Sequence, residues 1–509
     1  MSKLTIPALR TEQCALILAL SGMGIVCSLA VTYPNDFWWH LKAGQIIATS
    51  GLPQTNLFAW TLPTDAPYVY QSWLGEWLFY ALYWLGGLQL VIFSRNLLWI
   101  LALSFVALET LRRTKSGWLA AGVVLVAGFM AINNLTTRTQ NWSWLPFTLL
   151  LYLLGGYVAK QFAPRWLGLL PLLMLFWVNA HGAFITGILL TTAFVVGETL
   201  SFLLHQPNSL AWERLRLLYL AFGAMLFITI VNPLGLGIFA YLKDLLTDPP
   251  SQSLVVEWAS PTPRSEVGKI FYGTILALLI AFSFARRRPT ISEIILICGF
   301  SWMAFSGIRY VVWFGFAALP ILAHCLVKPS LEPKKIELKQ PKLLTTLNFV
   351  ITVCALIGFI LVQPWFKTIL PWPKVYLEQF AALPEAPLLF SKRTPVKATE
   401  HLRVEPCQGH LFNQMGYGSY LSWALYPQTQ VFIDSRVELY PLSLWHAYLR
   451  LSEGQDVAKL LQKYAISCVM LELESQEPLS VSLSQMPEWK RTFSNEDSEV
   501  WRRGKSYER

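Results

Sequence analysis

In the segment LLTTLNFVITVCALIGFILVQ, residues 343–363, none of the 21 residues carries a charge. A helix needs about 20 apolar residues to cross the hydrocarbon core of a bilayer, so this segment predicts a transmembrane helix. Ten further segments are also predominantly apolar: 13–33, 88–110, 117–135, 143–159, 166–180, 183–204, 215–231, 270–285, 291–308 and 310–327. The sequence therefore predicts an α-helical polytopic membrane protein with about eleven transmembrane helices.

The composition agrees with this fold class. Of the 509 residues, 54% are hydrophobic and 14% are charged, against about 25% charged in an ordinary soluble domain. This excludes a soluble enzyme, a disordered chain and a disulfide-stapled secreted module. Up to Gln363 the chain has 24 Lys and Arg against 14 Asp and Glu, whereas from Pro364 it has 16 of each. The basic excess belongs to the apolar part, which predicts charges that orient a membrane protein and no nucleic-acid partner.

Loop charges predict the orientation, because cytoplasmic loops are enriched in Lys and Arg. One set of helix ends carries 17 of these residues: Lys3, Arg10, Arg112, Arg113, Lys115, Lys160, Arg165, Arg214, Arg216, Arg286, Arg287, Arg288, Lys328, Lys334, Lys335, Lys339 and Lys342. The opposite ends carry 6: Lys42, Arg138, Lys243, Arg264, Lys269 and Arg309. With an odd number of helices, this bias places the N-terminus in the cytoplasm and the tail outside.

Two long loops, 34–87 and 232–269, lie on the predicted outer side. In the first, residues 72–86 (SWLGEWLFYALYWLG) are apolar and aromatic but too short to span. They favour a helix lying in the interface, as does 37–48. The alternative is that 72–88 continues into the next span as one tilted helix.

From Pro364 onward the sequence changes character, which predicts two domains, 1–363 in the membrane and 364–509 outside it. A helix is expected at 396–404, followed by short β runs at 409–413, 429–433, 467–472, 489–493 and 499–503. Helical runs separate them at 417–425, 443–452 and 455–463. Alternating strands and helices predict a small extracytoplasmic α/β domain with a partly parallel sheet.

Soluble catalytic motifs such as a P-loop, HExxH or GxSxG are absent. Polar residues are instead found at outer helix ends, where ionisable groups usually face a cavity. These candidates are Asp36, His40, Glu76, Arg138, Asn179, His181 and Arg309. Carboxylates beside arginines suit acid–base chemistry next to a phosphate.

Six of these candidates also have a structural alternative. Asp36 is a possible helix cap, Glu76 a possible partner of Lys42 or a residue of an exposed face, and the two histidines are possible packing residues. For Arg138 and Arg309 the alternative is that their side chains extend to the lipid headgroups.

In the tail, Asp434 and Arg436 follow an apolar β run, at the strand end where α/β sheets often bind ligands. The alternative is a turn ion pair that fixes the Ser435 loop. Cys407 and Cys468 lie near two predicted strands and form a disulfide if those strands are neighbours. Otherwise Cys468 is a small core residue.

A family resemblance is carried by three motifs of the first loop: D-F-W-W-H-L-x-x-G-x-I (Asp36–Ile46), G-L-P-Q-T-N-L-F-A-W-T (Gly51–Thr61) and Q-S-W-L-G-E-W-L (Gln71–Leu78). It continues in T-R-T-Q-N-W-S (Thr137–Ser143), N-A-H-G-A-F (Asn179–Phe184), N-P-L-G (Asn232–Gly235), E-W-A-S-P (Glu257–Pro261) and I-R-Y-V (Ile308–Val311). The tail motifs are H-L-F-N-Q-M-G-Y-G-S-Y-L (His410–Leu421) and V-F-I-D-S-R-V-E-L-Y (Val431–Tyr440). Together they resemble bacterial multi-spanning glycosyltransferases of the C superfamily, related to dolichyl-phosphate-mannose-protein mannosyltransferases and to oligosaccharyltransferases.

The resemblance implies a hexosyltransferase of the cell envelope, in the plasma (inner) membrane, that takes sugar from a polyprenyl phosphate on the outer side. The first-loop acid, Asp36, is then the expected catalytic residue, assisted by Glu76 and His40. Arg138, Asn179, His181 and Arg309 are expected to bind the lipid phosphate and the sugar. The acceptor, whether glycan, lipid or protein, stays open.

Some relatives use a divalent cation such as Mg or Mn, for which Asp36, Glu76 and His40 are the candidate ligands here. Asp36 is followed by Phe37 and lacks the second adjacent acid of the mannosyltransferases, which speaks against a metal site. Two other classes remain. One is a polymerase, ligase or flippase-like protein for polyprenyl-linked glycans. The other is a non-catalytic membrane scaffold.

Overall fold

The structure, a computed structural model, describes residues 9–285, 287–327, 340–384 and 386–504. Of the basic residues on which the predicted orientation rests, Lys3, Arg286, Lys328, Lys334, Lys335 and Lys339 lie outside the described residues.

Helices dominate the first part of the chain. In order they are α1 Thr11–Leu29, α2 Phe37–Ser50, α3 Trp73–Thr114, α4 Gly117–Met130, α5 Asn141–Val158, α6 Leu169–Ala180, α7 Phe184–Leu203, α8 Trp212–Ile228, α9 Gly237–Thr247, α10 Pro249–Leu254, α11 Glu266–Phe284, α12 Ile291–Ser306, α13 Val311–Leu326 and α14 Lys342–Leu361. Each of the predicted spans falls on one of these helices.

Six helices within the described residues are long and apolar enough to cross a membrane: Thr11–Leu29, Trp73–Thr114, Phe184–Leu203, Glu266–Phe284, Ile308–Leu326 and Lys342–Leu361. The other predicted spans correspond to helices that are shorter or less apolar. Helices of this length and apolar character match the thickness of the hydrocarbon core of a bilayer. The chain is therefore an integral membrane protein.

The two helical segments expected in the first loop are present. Helix α2 covers the first, and the N-terminal part of α3 covers the second. Gly86 and Gly87 have non-helical dihedral angles, and the φ of Gly87 is +66°, a conformation that glycine adopts without steric cost. The 72–86 helix is thus separated from the following span by a kink, and the two do not form one straight helix.

The tail contains short helices and one four-stranded sheet. Its elements are α15 Lys374–Leu377, α16 Val396–Val404, β1 His410–Asn413, α17 Met415–Leu425, α18 Leu442–Ser452, α19 Val457–Lys463, β2 Ile466–Glu472, α20 Leu473–Ser484, β3 Trp489–Ser494 and β4 Ser498–Arg503. The strand order is β1-β2-β4-β3, with β1 and β2 parallel and the other pairs antiparallel. The predicted α/β fold with a partly parallel sheet is confirmed.

The strand predicted at 429–433 is wrong, because this run joins the first loop instead of the sheet. Val431 forms an isolated bridge with Ala59. The side chain of Asn413, and not a backbone strand, makes hydrogen bonds to this run. Its amide donates to the carbonyl of Ile433 and its oxygen accepts from the backbone amide of Phe432, both at 2.8 Å. Val431, Phe432 and Ile433 are fully buried, so the apolar character of the run reflects a contact between the tail and the loop.

Cys407 and Cys468 form a disulfide, with their Cα atoms 5.9 Å apart. The strand pairing explains this geometry, because Cys468 of β2 lies opposite Leu411 of β1. The prediction that these two strands are neighbours is confirmed. The disulfide links the segment before β1 to strand β2.

The tail lies against the first loop through aromatic and polar contacts. The indole of Trp60 donates to the carbonyl of Leu411 at 2.9 Å and stacks on His410 with ring centres 3.9 Å apart. On α2, Trp38 stacks on Phe390 with ring centres 5.3 Å apart. Ala59 belongs to the buried apolar core of the tail. These contacts hold the tail over the loop that carries the candidate catalytic acid.

Candidate active site

A cavity of about 250 Å³ lies where the first loop, the helix ends and the tail meet. It brings together six of the seven candidates from the membrane part: Asp36, His40, Glu76, Arg138, His181 and Arg309. Residues separated by more than 270 positions in the sequence therefore share one site. The tail contributes the segment from Ser435 to Glu438 to the wall.

Asp36 occupies the N-cap position of α2, yet its carboxylate makes no capping hydrogen bond. It is half-buried, and it has no side-chain hydrogen bond or ion pair within the described part of the chain. The N-terminus of a helix favours a nearby negative charge. The structure thus does not support the simple capping role, and it leaves the carboxylate available to the cavity.

His40 and Glu76 form a buried pair beside Asp36. His40 follows one helical turn after Asp36, and its Nδ1 lies 2.9 Å from Glu76 Oε1. The side chain of Glu76 is 1% exposed, and its Oε2 is buried without a hydrogen-bond partner among the described residues. The partner of Glu76 is His40 and not Lys42, whose ammonium lies over the rings of Trp423 and Tyr426.

Arg138 is held by a carboxylate that the sequence analysis did not single out. Its Nη1 donates to both oxygens of Glu257, at 2.9 and 2.8 Å. Burial favours the neutral forms of both groups, but their attraction outweighs it, so the pKa of Arg138 is raised and that of Glu257 is lowered. Nε and Nη2 of Arg138 are buried and without a hydrogen-bond partner among the described residues. Arg138 therefore keeps two donors for another group.

Arg309 is the less constrained of the two arginines. Its guanidinium lies over the ring of Trp258, 4.8 Å from the ring centre. No carboxylate of the described residues pairs with it. Stacking on an aromatic face orients a guanidinium without using its hydrogen-bond donors. The N–H donors of the Arg309 guanidinium are thus available for an anionic ligand.

His181 is fixed as a neutral imidazole. Its Nδ1 accepts a hydrogen bond from the amide of Ala183 at 3.1 Å. Ser143 Oγ lies 2.9 Å from the same nitrogen and itself accepts from the indole of Trp177. Burial, followed by the nearby Arg309 and Arg138, lowers the pKa of His181 well below its ordinary value. With Nδ1 as acceptor, the proton is on Nε2, which is a neutral donor at the cavity wall.

Asn179, the seventh candidate, is not among the residues that line the cavity. Its Oδ1 accepts from the indole of Trp73 at 2.8 Å, and its amide donates to the carbonyls of Leu175 and Val231, both at 2.9 Å. All of these bonds join helices and loops of the protein itself. Asn179 therefore has a structural role beside the cavity and does not line it.

Asp434 and Arg436 form a closed ion pair, with both side chains 0% exposed and Nη2 to Oδ2 at 2.6 Å. The guanidinium also lies 4.9 Å from the ring centre of Phe58 and 4.8 Å from that of Tyr68. This geometry supports the turn ion pair over a ligand site at Asp434. Arg436 itself reaches the cavity wall, and the pair fixes the intervening Ser435 there.

Glu438 is a further cavity residue that the sequence analysis did not identify. It lies in a 3-10 turn, Val437–Leu439, two residues after Arg436. Burial raises its pKa above the ordinary value, and no partner among the described residues neutralises it. The motif V-F-I-D-S-R-V-E-L-Y contained it, but an acid in the tail gave no sign of lying beside a cavity of the helical part of the chain.

The proposed metal ligands do not come together as a metal site. Within the described residues no three His, Cys, Asp or Glu side chains are placed to hold a metal ion. His40 Nδ1 already binds Glu76 Oε1, which leaves Glu76 Oε2 as the free atom of the pair. The set Asp36, Glu76 and His40 therefore does not fit a Mg or Mn ion in this geometry.

Comparison with solved structures shows proteins of the same general shape. The arabinofuranosyltransferase AftD from Mycobacteria matches with a TM-score of 0.55 at 13% identity, over 98% of this chain and 42% of that one. ArnT from Cupriavidus metallidurans, bound to undecaprenyl phosphate, has a TM-score of 0.49 at 13% identity, over 96% and 97% of the two chains. The Archaeoglobus fulgidus oligosaccharyltransferase in its apo form has a TM-score of 0.49 at 11% identity, over 92% and 71%.

No protein-family model matches the chain, and no curated protein matches its sequence. Because AftD is only 13% identical and this chain spans 42% of its length, that likeness concerns the fold and not the activity. The predicted fold resemblance is confirmed. The chain shares its fold with the arabinofuranosyltransferase AftD.

Proposed function

We propose that the protein transfers a hexosyl group from a polyprenyl-phosphate donor to an acceptor on the outer side of the plasma membrane. One observation carries this proposal. A single cavity holds an unpaired carboxylate, Asp36, together with an arginine, Arg309, that has no carboxylate partner among the described residues. An acid to activate an acceptor and a cation to bind a phosphate are the two parts that such a reaction needs.

In the proposed reaction Asp36 accepts the proton of the acceptor hydroxyl. The hydroxyl oxygen then forms a bond to the anomeric carbon, and the bond from that carbon to the phosphate oxygen breaks with inversion. The phosphate leaves with the bonding electrons and gains negative charge. Arg309, the free donors of Arg138 and the Nε2 proton of His181 stabilise this charge, because preorganised donors act most strongly where charge develops.

His40 and Glu76 act behind Asp36 as positioning residues in this proposal. Their hydrogen bond at 2.9 Å ties α2 to the start of α3, so the turn that carries Asp36 is fixed against the neighbouring helix. No step is assigned to a metal ion, because the three candidate ligands do not form a site.

The proposed topology has eleven spans, a cytoplasmic N-terminus and an extracytoplasmic tail. Cysteines introduced at Ser116 and Ser484 test it, since Ser116 precedes α4 and Ser484 ends α20. We expect a membrane-impermeant thiol reagent to label Ser484→Cys in intact cells and Ser116→Cys only after lysis. Labelling of both positions from one side would contradict the topology and the outer location of the cavity.

The activity is tested by mass spectrometry of surface glycans, lipids and glycoproteins from a deletion strain. The strain is complemented with wild type or with Asp36→Asn. We expect one class of molecule to lack a hexose in the deletion strain, to regain it with wild type and to lack it with Asp36→Asn. Complete rescue by Asp36→Asn would favour a carrier of polyprenyl-linked glycans or a scaffold, which do not need this carboxylate.

A further inference from the structure

A second polar cavity, of about 680 Å³, lies at the opposite end of the same helices. Its walls include the C-terminal ends of α3, α5 and α7 and the N-terminal end of α12. Six basic side chains line it: Arg112, Arg113, Lys115, Lys160, Arg287 and Arg288. Only two carboxylates face them, Glu198 and Glu293. The cavity therefore carries an excess of positive charge.

Of the nearby carboxylates, Glu198 accepts a hydrogen bond from Ser292 Oγ at 2.7 Å, and the other two are bonded to arginines. Glu109, which is fully buried, accepts from Arg112 at 2.7 and 2.6 Å and from Arg113 at 2.6 Å. Glu293 pairs with Arg113 and, at 3.4 Å, with Arg287. Lys115, Lys160 and Arg288 have no side-chain hydrogen bond or ion pair among the described residues. These last three carry the charge that is left for a ligand.

An apolar groove of about 690 Å³ adjoins this cavity between α11 and α12. Its floor and walls are aliphatic and aromatic, including Leu278, Leu279, Phe282, Ile294 and Ile297. Leu276, Ile280, Phe284 and Trp302, on the same two helices, are at least 60% exposed, so this face of the bundle meets lipid. Arg288 lines both the groove and the basic cavity.

We infer that an anionic phospholipid binds here, with its acyl chains in the α11–α12 groove and its phosphate at Arg288, facing Lys160. The charge selects the headgroup, because basic pockets between transmembrane helices attract anionic lipids. The groove favours a lipid over a free phosphate, because its apolar lining on the lipid-facing side of α11 and α12 holds acyl chains next to the basic residues. This inference depends on membrane insertion and is independent of the proposed function.

Native mass spectrometry of the full-length protein in detergent tests this site. The probes are phosphatidylglycerol and phosphatidylcholine with identical chains. We expect the wild type to retain phosphatidylglycerol preferentially and the double variant Lys160→Gln, Arg288→Gln to lose about 25-fold of that preference, since each basic residue near an anionic headgroup contributes about fivefold. Arg264→Gln is the matched control, because Arg264 is an exposed arginine before the other end of α11.

Equal retention of the two lipids by the wild type, or an unchanged preference in the double variant, would overturn the inference. A third probe, water-soluble glycerophosphoglycerol, tests the groove. We expect it not to displace the lipid at equal concentration. Displacement would show that the phosphate alone is bound and that the groove takes no part.

Discussion

The two ends of the helical bundle hold their charges in different ways. At the end away from the tail, the buried carboxylates Glu109 and Glu293 are each bonded to arginines. At the end beneath the tail, the carboxylate of Asp36 and the guanidinium of Arg309 share a cavity without such partners among the described residues.

The difference separates charges that hold the structure from charges that are available for chemistry. A buried ion pair with every bond made has little left for a ligand, and breaking it leaves an uncompensated charge. An unpaired group in a cavity costs stability, and such groups concentrate at functional sites. Substitutions at the two ends should therefore separate stability from activity.

The largest expected effect is on stability, from Glu109→Gln. This change leaves Arg112 and Arg113 buried beside a neutral amide, and removing one partner of a buried pair costs about 3–5 kcal/mol. Thermal unfolding of the full chain in detergent measures the loss. The control is Glu266→Gln, because the Glu266–Lys269 pair is exposed and such pairs contribute about 0–1 kcal/mol. Equal losses in the two variants would contradict a structural role for the buried network.

At the cavity end, Arg309→Gln should change ligand affinity and leave stability nearly unaltered. A hydrogen bond to a charged group contributes about 1.5–3 kcal/mol, so we expect polyprenyl-phosphate-sugar binding to weaken about 10- to 100-fold. Binding isotherms in nanodiscs measure this effect, with Arg264→Gln as the exposed control. Unchanged affinity would show that the phosphate does not bind at Arg309.

The smallest effect concerns Glu438, whose pKa is raised by burial. Because the folded protein holds this proton more tightly than the unfolded chain, ionising Glu438 costs stability as pH rises above the unfolded pKa of about 4.3. Glu438→Gln removes that cost. We expect its Tm to exceed that of wild type by about 1–2 °C at pH 7 and to equal it at pH 4.

Glu488→Gln, which changes an exposed glutamate of the tail, should leave Tm unchanged at both pH values. A Tm of Glu438→Gln below that of wild type at pH 7 would show that the ionised carboxylate has a stabilising partner.

Sequence patterns were most informative where one physical requirement dominates. The apolar segments located the helices because bilayer thickness sets their length, and the alternation of strands and helices located the tail sheet. The same reasoning failed at 429–433, where burial comes from contact with Ala59 and its neighbours. Local apolar character indicates burial, but it does not identify the partner.

The residues of the candidate site were also predicted only in part. Charged residues at helix ends, such as Asp36 and Arg309, were recognised because charge is costly near lipid. Glu438 was not recognised, because an acid in a soluble tail is ordinary until the fold places it over the cavity. Asn179 was predicted to bind substrate, although its polar atoms are used by Trp73 and by backbone carbonyls. A motif marks the neighbourhood of a site, while the hydrogen bonds decide which side chains remain available.

In the proposed reaction the Asp36 carboxylate accepts the proton of the acceptor hydroxyl. The most direct test is the release of polyprenyl phosphate from a polyprenyl-phosphate sugar by purified protein in liposomes, with the acceptor identified from the deletion strain. We expect Asp36→Asn to reduce the rate by about 10²-fold or more with an unchanged Tm, and Asp65→Asn, an exposed acid of the same loop outside the cavity, to retain the wild-type rate. A wild-type rate in Asp36→Asn would contradict the account.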